Sequence, residues 1–251
     1  MKNFSVRRPA MLVFTAFLTL GVAACGDKDA SDSPPAIQAG EAVPPPAGQE
    51  WTDVVSQTPS GGYVMGNPDA AIKIAEYASF TCPHCKDFAE ASDGERDEMV
   101  KTGKISFEYR PFVRDPLDMT VALLAACNGP ETYFPLAHQL FANQAAMYEQ
   151  AQGAGEEAYA KAVQAPPKER FVMIAQLAGL IDYVKQRGIS EEKAKQCLSD
   201  DKQADALAAQ VQESTQKYNI TGTPTILMNG SVLENVLTWD VLKARLKESG
   251  I

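Results

Sequence analysis

The chain is poor in the residues that most enzyme classes depend on. It has two histidines, His84 and His138, no Met-rich run and no His-Glu-x-x-His helix. A catalytic zinc site or a copper-handling centre would therefore be short of ligands. There is no Gly-rich phosphate loop, which removes the P-loop reading. No internal repeat occurs, so a solenoid is excluded. Basic charge is also scarce: 23 Lys and Arg stand against 32 Asp and Glu, a net charge of −9. That balance argues against nucleic acid as a partner and against electrostatic adhesion to anionic lipid. The longest apolar run, Ala10 to Ala24, is too short for an ordinary membrane span. Cysteines number five in 251 residues, few enough that each needs a reason.

The short apolar run has a reading of its own. Lys2, Arg7 and Arg8 precede it, and it ends in Val22-Ala23-Ala24-Cys25. A positive start, an apolar centre and small residues at the end form a secretory signal. Small residues before a cysteine resemble a bacterial lipobox. That implies cleavage before Cys25, lipidation of Cys25 and a place on the periplasmic side of a bacterial membrane. An ordinary signal peptide, with the protein free in the periplasm, is the alternative. Arg7-Arg8 suggests a twin-arginine signal, but Pro9-Ala10-Met11 fits that poorly. Losing residues 1–24 removes three positive charges and leaves about −12. Residues 25–60 follow as a lipidated, flexible, Pro-rich tether, with six prolines and three glycines among residues 26–60. Trp51 and Val54-Val55 are the apolar points of its second half that could dock on the domain.

Residues 61–251 are enough for one well-buried α/β domain. Ile72 to Tyr77 alternates and reads as a strand. Phe80-Thr81 leads into Cys82-Pro83-His84-Cys85, and Phe88, Ala91, Met99 and Val100 continue as a helix of about four turns. Thr81 is the expected N-cap and Pro83 suits a first helical turn. Cys82 then sits at the helix N-terminus, where free N–H groups and the dipole favour a thiolate. A protonated His84 would add a second stabilising charge. A stabilised thiolate is a good leaving group, so the disulfide of this pair should oxidise other thiols strongly. Cys85, one turn further in, is placed to resolve a mixed disulfide. Half of a zinc site and an inert pair are the competing readings. Both are weakened because Cys127, Cys197 and His138 are isolated from one another.

Further along, Leu117 to Ala126, Phe134 to Met147 and Phe171 to Arg187 have helical spacing. His138, among Phe134, Leu136, Leu140 and Phe141, reads as a packing residue. Strands are expected at Ile105 to Arg110, Thr225 to Met228 and Ser231 to Val236, with Asn229-Gly230 as a hairpin turn. A final helix runs from Trp239 to Lys247. Cys127 closes one helical run and Cys197 lies on the helix opened by Ser190-Glu191-Glu192. In an oxidising compartment these two thiols are expected to pair, with two buried free cysteines or a second redox couple as alternatives. Thr223-Pro224 stands before the Thr225 strand, where a proline permits a cis bond.

Glu76, Cys82-Pro83-His84-Cys85, Thr223-Pro224 and the helical block between them resemble the DsbA family of thioredoxin-like proteins. So does the lead-in Gly62 to Ala70, which is similar to the alphaproteobacterial-type members. The resemblance covers residues 61–251. It implies an α/β thioredoxin fold with an inserted α-helical domain at about 115–200. It further implies that Cys82 is the exposed nucleophile and Cys85 the resolving thiol. His84 would tune the couple, Thr223-Pro224 would be the substrate platform, and Glu76 a buried acid handling the proton of Cys85. Some members also carry a second disulfide matching Cys127 and Cys197. The implied activity is protein disulfide oxidation without metal or organic cofactor, by a monomer. Its substrates would be reduced extracytoplasmic proteins and its reoxidant a DsbB-like, quinone-linked membrane protein. A periplasmic reductase or isomerase is the first rival, and a metal-handling or substrate-holding lipoprotein the second. Two features depart from the family. The Ala/Gln-rich stretch Glu149 to Arg170 is longer than in its shorter members, and the lipobox with tether is not general to it.

Overall fold

The computed structural model describes residues 38–251. The lipidation expected at Cys25, the signal and the first part of the tether lie outside them. Six strands form one mixed sheet in the order β1-β2-β4-β3-β5-β6. They are β1 (Val55–Gln57), β2 (Tyr63–Gly66), β3 (Ile72–Ala78), β4 (Ile105–Pro111), β5 (Thr225–Met228) and β6 (Ser231–Val232). β3 and β4 run parallel and every other pairing is antiparallel. The central strands are buried on both faces, which is why β3 reads as a nearly continuous apolar run. Lys73 is exposed, and Glu76 is the buried charged residue of the run, paired with Tyr109 of β4 and Ile226 of β5.

Eleven helices are described. α1 (Pro83–Ser92) and α2 (Glu95–Lys101) connect β3 to β4. One helix was expected there, but Gly94 adopts φ +74, a left-handed conformation that a helix cannot pass through. α3 (Pro116–Ala125) begins a helical block that continues through α4 (Tyr133–Ala142), α5 (Gln144–Gly153), α6 (Glu156–Gln164), α7 (Pro167–Leu177), α8 (Leu180–Lys185) and α9 (Glu191–Leu198). The run Phe134 to Met147 is thus broken at Asn143, and Phe171 to Arg187 at Gly179. α10 (Asp201–Tyr218) returns the chain to the sheet and α11 (Trp239–Glu248) closes it. Local chemistry accounts for several starts: the Asp115, Ser190 and Asp200 side chains accept from the N–H of Asp118, Lys193 and Gln203. In the β5–β6 turn, Asn229 and Gly230 both take positive φ, the geometry of a two-residue hairpin. β6 ends at Val232, four residues short of the expected strand.

The tether expectation fails over its second half. Ala39 N–H bonds the Ser249 carbonyl at 2.7 Å, and Val43 N–H bonds that of Thr102 at 3.1 Å. Trp51 is 6% exposed and its indole donates to the Val43 carbonyl at 2.7 Å. Val55–Gln57 then pairs with β2. Backbone pairing and one buried indole outweigh the polar composition, so the domain starts well before residue 61. Cys127 and Cys197 are joined, with Cα atoms 5.6 Å apart, and tie the end of α3 to α9.

Candidate active site

The site is built where β3 ends. After Ala78, residues Ser79 to Cys82 turn into α1, and Cys82 itself is the N-cap. Thr81 does not cap. Its hydroxyl donates to Asp115 Oδ2 at 2.7 Å, while the Cys82 carbonyl accepts the first helical bond from Lys86 N–H at 3.1 Å. Pro83 follows at the first helical position, where a missing N–H costs nothing.

Cys82 and Cys85 are free thiols, 3% and 0% exposed. The expected exposed nucleophile is therefore covered, because the loop before β5 lies across it. The Thr223–Pro224 bond in that loop is cis. As a thiol, Cys82 donates to the Thr223 carbonyl at 3.2 Å. As a thiolate it can accept instead from the Thr223 hydroxyl, whose oxygen is buried with no other partner. The Cys85 thiol, the Thr223 hydroxyl and the backbone N–H groups of Cys85 and His84 outweigh burial and lower Cys82 to about 5. His84 contributes its backbone N–H here, and its imidazole is exposed at the surface. Cys85 is pushed well above its ordinary value, first by burial, then by its bond to the Cys82 sulfur and by the charge of Glu76.

Glu76 lies beneath the thiols, 1% exposed, and its Oε1 has no hydrogen-bond partner. Burial raises it to about 8, against the pull of Arg96 and with a push from Cys82. Tyr109 and Tyr133 also leave buried hydroxyls unpartnered, in an aromatic group with Phe80 and Phe141. His138 stands apart from the site, Nε2 3.6 Å from Asp93 Oδ2.

A second buried carboxylate escaped the sequence reading. Asp118, 1% exposed, accepts from Phe80 N–H at 2.8 Å and Arg114 N–H at 3.0 Å. Burial raises it to about 7. Gln144 and Tyr148 of α5 also reach the Phe80–Cys82 carbonyls. Nothing in the spacing of these residues marks them, since Asp118 meets Phe80 across 38 positions and Gln144 and Tyr148 meet the turn across 62 to 67. The Ala/Gln-rich stretch supplies the end of α5, all of α6 and the start of α7. With α3 it walls an apolar cavity of about 490 Å³ beside Tyr148, lined also by Leu117, Ala151 and Tyr159.

The sheet, the dithiol at a helix N-terminus and the cis-proline loop define a thioredoxin-type protein. The family model described as Thioredoxin matches residues 58–248. The chain therefore belongs to this thioredoxin family, built as a thioredoxin fold with a helical insertion of the kind seen in DsbA-type structures. It is similar to the crystal structure of a protein-disulfide isomerase from Novosphingobium aromaticivorans, at 32% identity and TM-score 0.70 over 77% of this chain and 97% of that one. It shares the fold of Wolbachia pipientis alpha-DsbA1, at 20% identity and TM-score 0.58, over 74% of this chain and 90% of that chain. A Rickettsia bellii protein with the provisional name protein-disulfide oxidoreductase is 30% identical over 173 residues. That match spans 68% of this chain and 58% of the relative's length.

Proposed function

We propose that this protein is an extracytoplasmic thiol:disulfide oxidoreductase that acts as a dithiol oxidase through Cys82 and Cys85. The observation that carries this reading is the pair of opposite acidities one helical turn apart. A Cys82 thiolate stabilised to about 5 favours the reduced form of the couple, so the oxidised form takes electrons readily. A substrate thiolate attacks Cys82 Sγ, the Cys82–Cys85 bond breaks, and Cys85 leaves as a thiolate. The raised acidity constant of Cys85 means it takes up a proton at neutral pH, and Glu76, held near 8, is the buried acid at hand to give it. A second substrate thiolate then attacks the mixed disulfide and releases Cys82 as its stable thiolate. The substrate leaves with one disulfide and the enzyme has gained two electrons. Thr223, whose carbonyl faces the Cys82 sulfur, and Pro224 form the platform for the substrate backbone.

Substrates on this reading are reduced extracytoplasmic proteins, and a quinone-linked membrane protein of DsbB type restores the disulfide. The signal and Cys25 support a lipid-anchored location on the periplasmic side of the membrane. Among the described residues no helix is long and apolar enough to cross a membrane. The Novosphingobium relative, a protein-disulfide isomerase by its title, favours a second reading in which the same couple reshuffles disulfides. Equilibration with glutathione separates the two. The oxidase reading expects a potential well above the ~−270 mV of thioredoxin, toward the ~−120 mV of the strongest oxidants. A value near thioredoxin's would overturn it.

A further inference from the structure

The turn that carries Cys82 exposes three successive carbonyls, those of Phe80, Thr81 and Cys82, and all three are held by one helix of the insertion. Gln144 Nε2 donates to the Phe80 carbonyl at 2.9 Å and to the Cys82 carbonyl at 3.0 Å. Tyr148 donates its hydroxyl to the Thr81 carbonyl at 3.1 Å. Residues 144 and 148 are one turn apart, so a single face of α5 makes all three bonds. Gln144 is 5% exposed, so its bonds do not compete with bulk water. On the other side of the same turn, the N–H groups of Phe80, Thr81 and Cys82 go to Asp118 Oδ1, Ser79 Oγ and the Ser79 carbonyl. Every backbone polar group of these three residues thus has a partner.

We propose that Gln144 and Tyr148 are positioning residues that set the acidity of Cys82, so that the helical insertion tunes the redox couple from outside the sheet. The proposal rests on the reading of Cys82 as the thiolate of the couple. Its physical basis is the N-cap. Cys82 holds extended backbone, φ −89 and ψ 120, which keeps its sulfur at the helix N-terminus, 3.2 Å from the Thr223 carbonyl. The carbonyl that fixes ψ at this residue is the one Gln144 grips, sharing it with the helical N–H of Lys86. The same donor also offsets a negative carbonyl oxygen within the residue that bears the thiolate. Replacing Gln144 with an apolar side chain leaves the Phe80 carbonyl without a donor and the Cys82 carbonyl with only Lys86 N–H, which loosens the turn.

The test uses the reduced protein, with thiolate absorbance at 240 nm followed against pH and the glutathione equilibrium measured in parallel. Gln144→Leu is expected to raise the Cys82 midpoint by about one pH unit and to shift the equilibrium about tenfold toward the enzyme disulfide. Tyr148→Phe removes one oxygen from a half-buried ring and is expected to shift the equilibrium about threefold in the same direction. Met147→Ala, a core truncation between them on α5, lowers stability but leaves both readouts unmoved. Cys82→Ser removes the low titration, and its persistence there would sink the Cys82 reading itself. If Gln144→Leu and Tyr148→Phe lose stability yet titrate and equilibrate within twofold of the parent, the pair is merely structural and the inference fails. Should Gln144→Leu not fold, an unmoved Tyr148→Phe overturns it alone.

Discussion

At the scale of single residues, the site consists of ionisable groups held away from their ordinary states. Cys82 is stabilised as an anion, whereas Cys85, Glu76 and Asp118 are driven toward their neutral forms by burial. For Glu76 the consequence for stability has a definite sign. Its folded value, about 8, lies above its ordinary value, so the unfolded chain releases this proton first. Stability therefore falls as pH rises from about 4.5 to about 8 and is flat in this group beyond that. Glu76→Gln removes the burden. We expect the variant to gain on the order of 2 kcal/mol at pH 7 in urea unfolding, with little change at pH 4. We also expect slower turnover, since Gln cannot give a proton to Cys85. A loss of stability at pH 7 would show that the carboxylate is paired and ionised. Cys82 has the opposite sign. Its depressed value stabilises the reduced protein fully above about 9, and this contribution is lost as pH falls toward about 5.

At the scale of elements, periodicity located the inner strands and the helical runs, while the strands β1 and β2 and the breaks came from backbone conformation and contact. Phe88 to Val100 has one helical pattern, yet Gly94 splits it; a glycine permits positive φ but does not require it. The polar segment before residue 61 lacks the apolar density of a core element, yet it contributes an edge strand and a buried indole. Sheet edges are completed by distant backbone, which local composition does not report. The docking has a measurable weight. Trp51→Ala is expected to cost about 3 kcal/mol in denaturant unfolding, through the lost ring and the freed Val43 carbonyl. An unchanged midpoint would mean that the segment is a free tether after all.

At the scale of the whole molecule, the helical insertion is bound to the rest through the Phe80–Cys82 turn and to itself through Cys127–Cys197. That bridge closes a loop of 70 residues. Replacing both cysteines by alanine is expected to lower stability by about 2–4 kcal/mol while leaving the Cys82–Cys85 couple able to exchange with glutathione. Non-reducing peptide mapping should recover the two as one linked pair, and alkylation of both without reduction would count against the bridge. The sequence by itself determined the dithiol, its place at a helix start, the proline loop, the strands and helical block around them, and the resemblance that gave the fold. These are local patterns, in which residue type and spacing within a few turns decide the chemistry. Only the tertiary structure decided that Cys82 is covered, that Glu76 Oε1 has no hydrogen-bond partner, and that Asp118, Gln144 and Tyr148 hold the turn. Burial and hydrogen bonding between residues tens of positions apart depend on how the helices pack, and acidity follows from that packing.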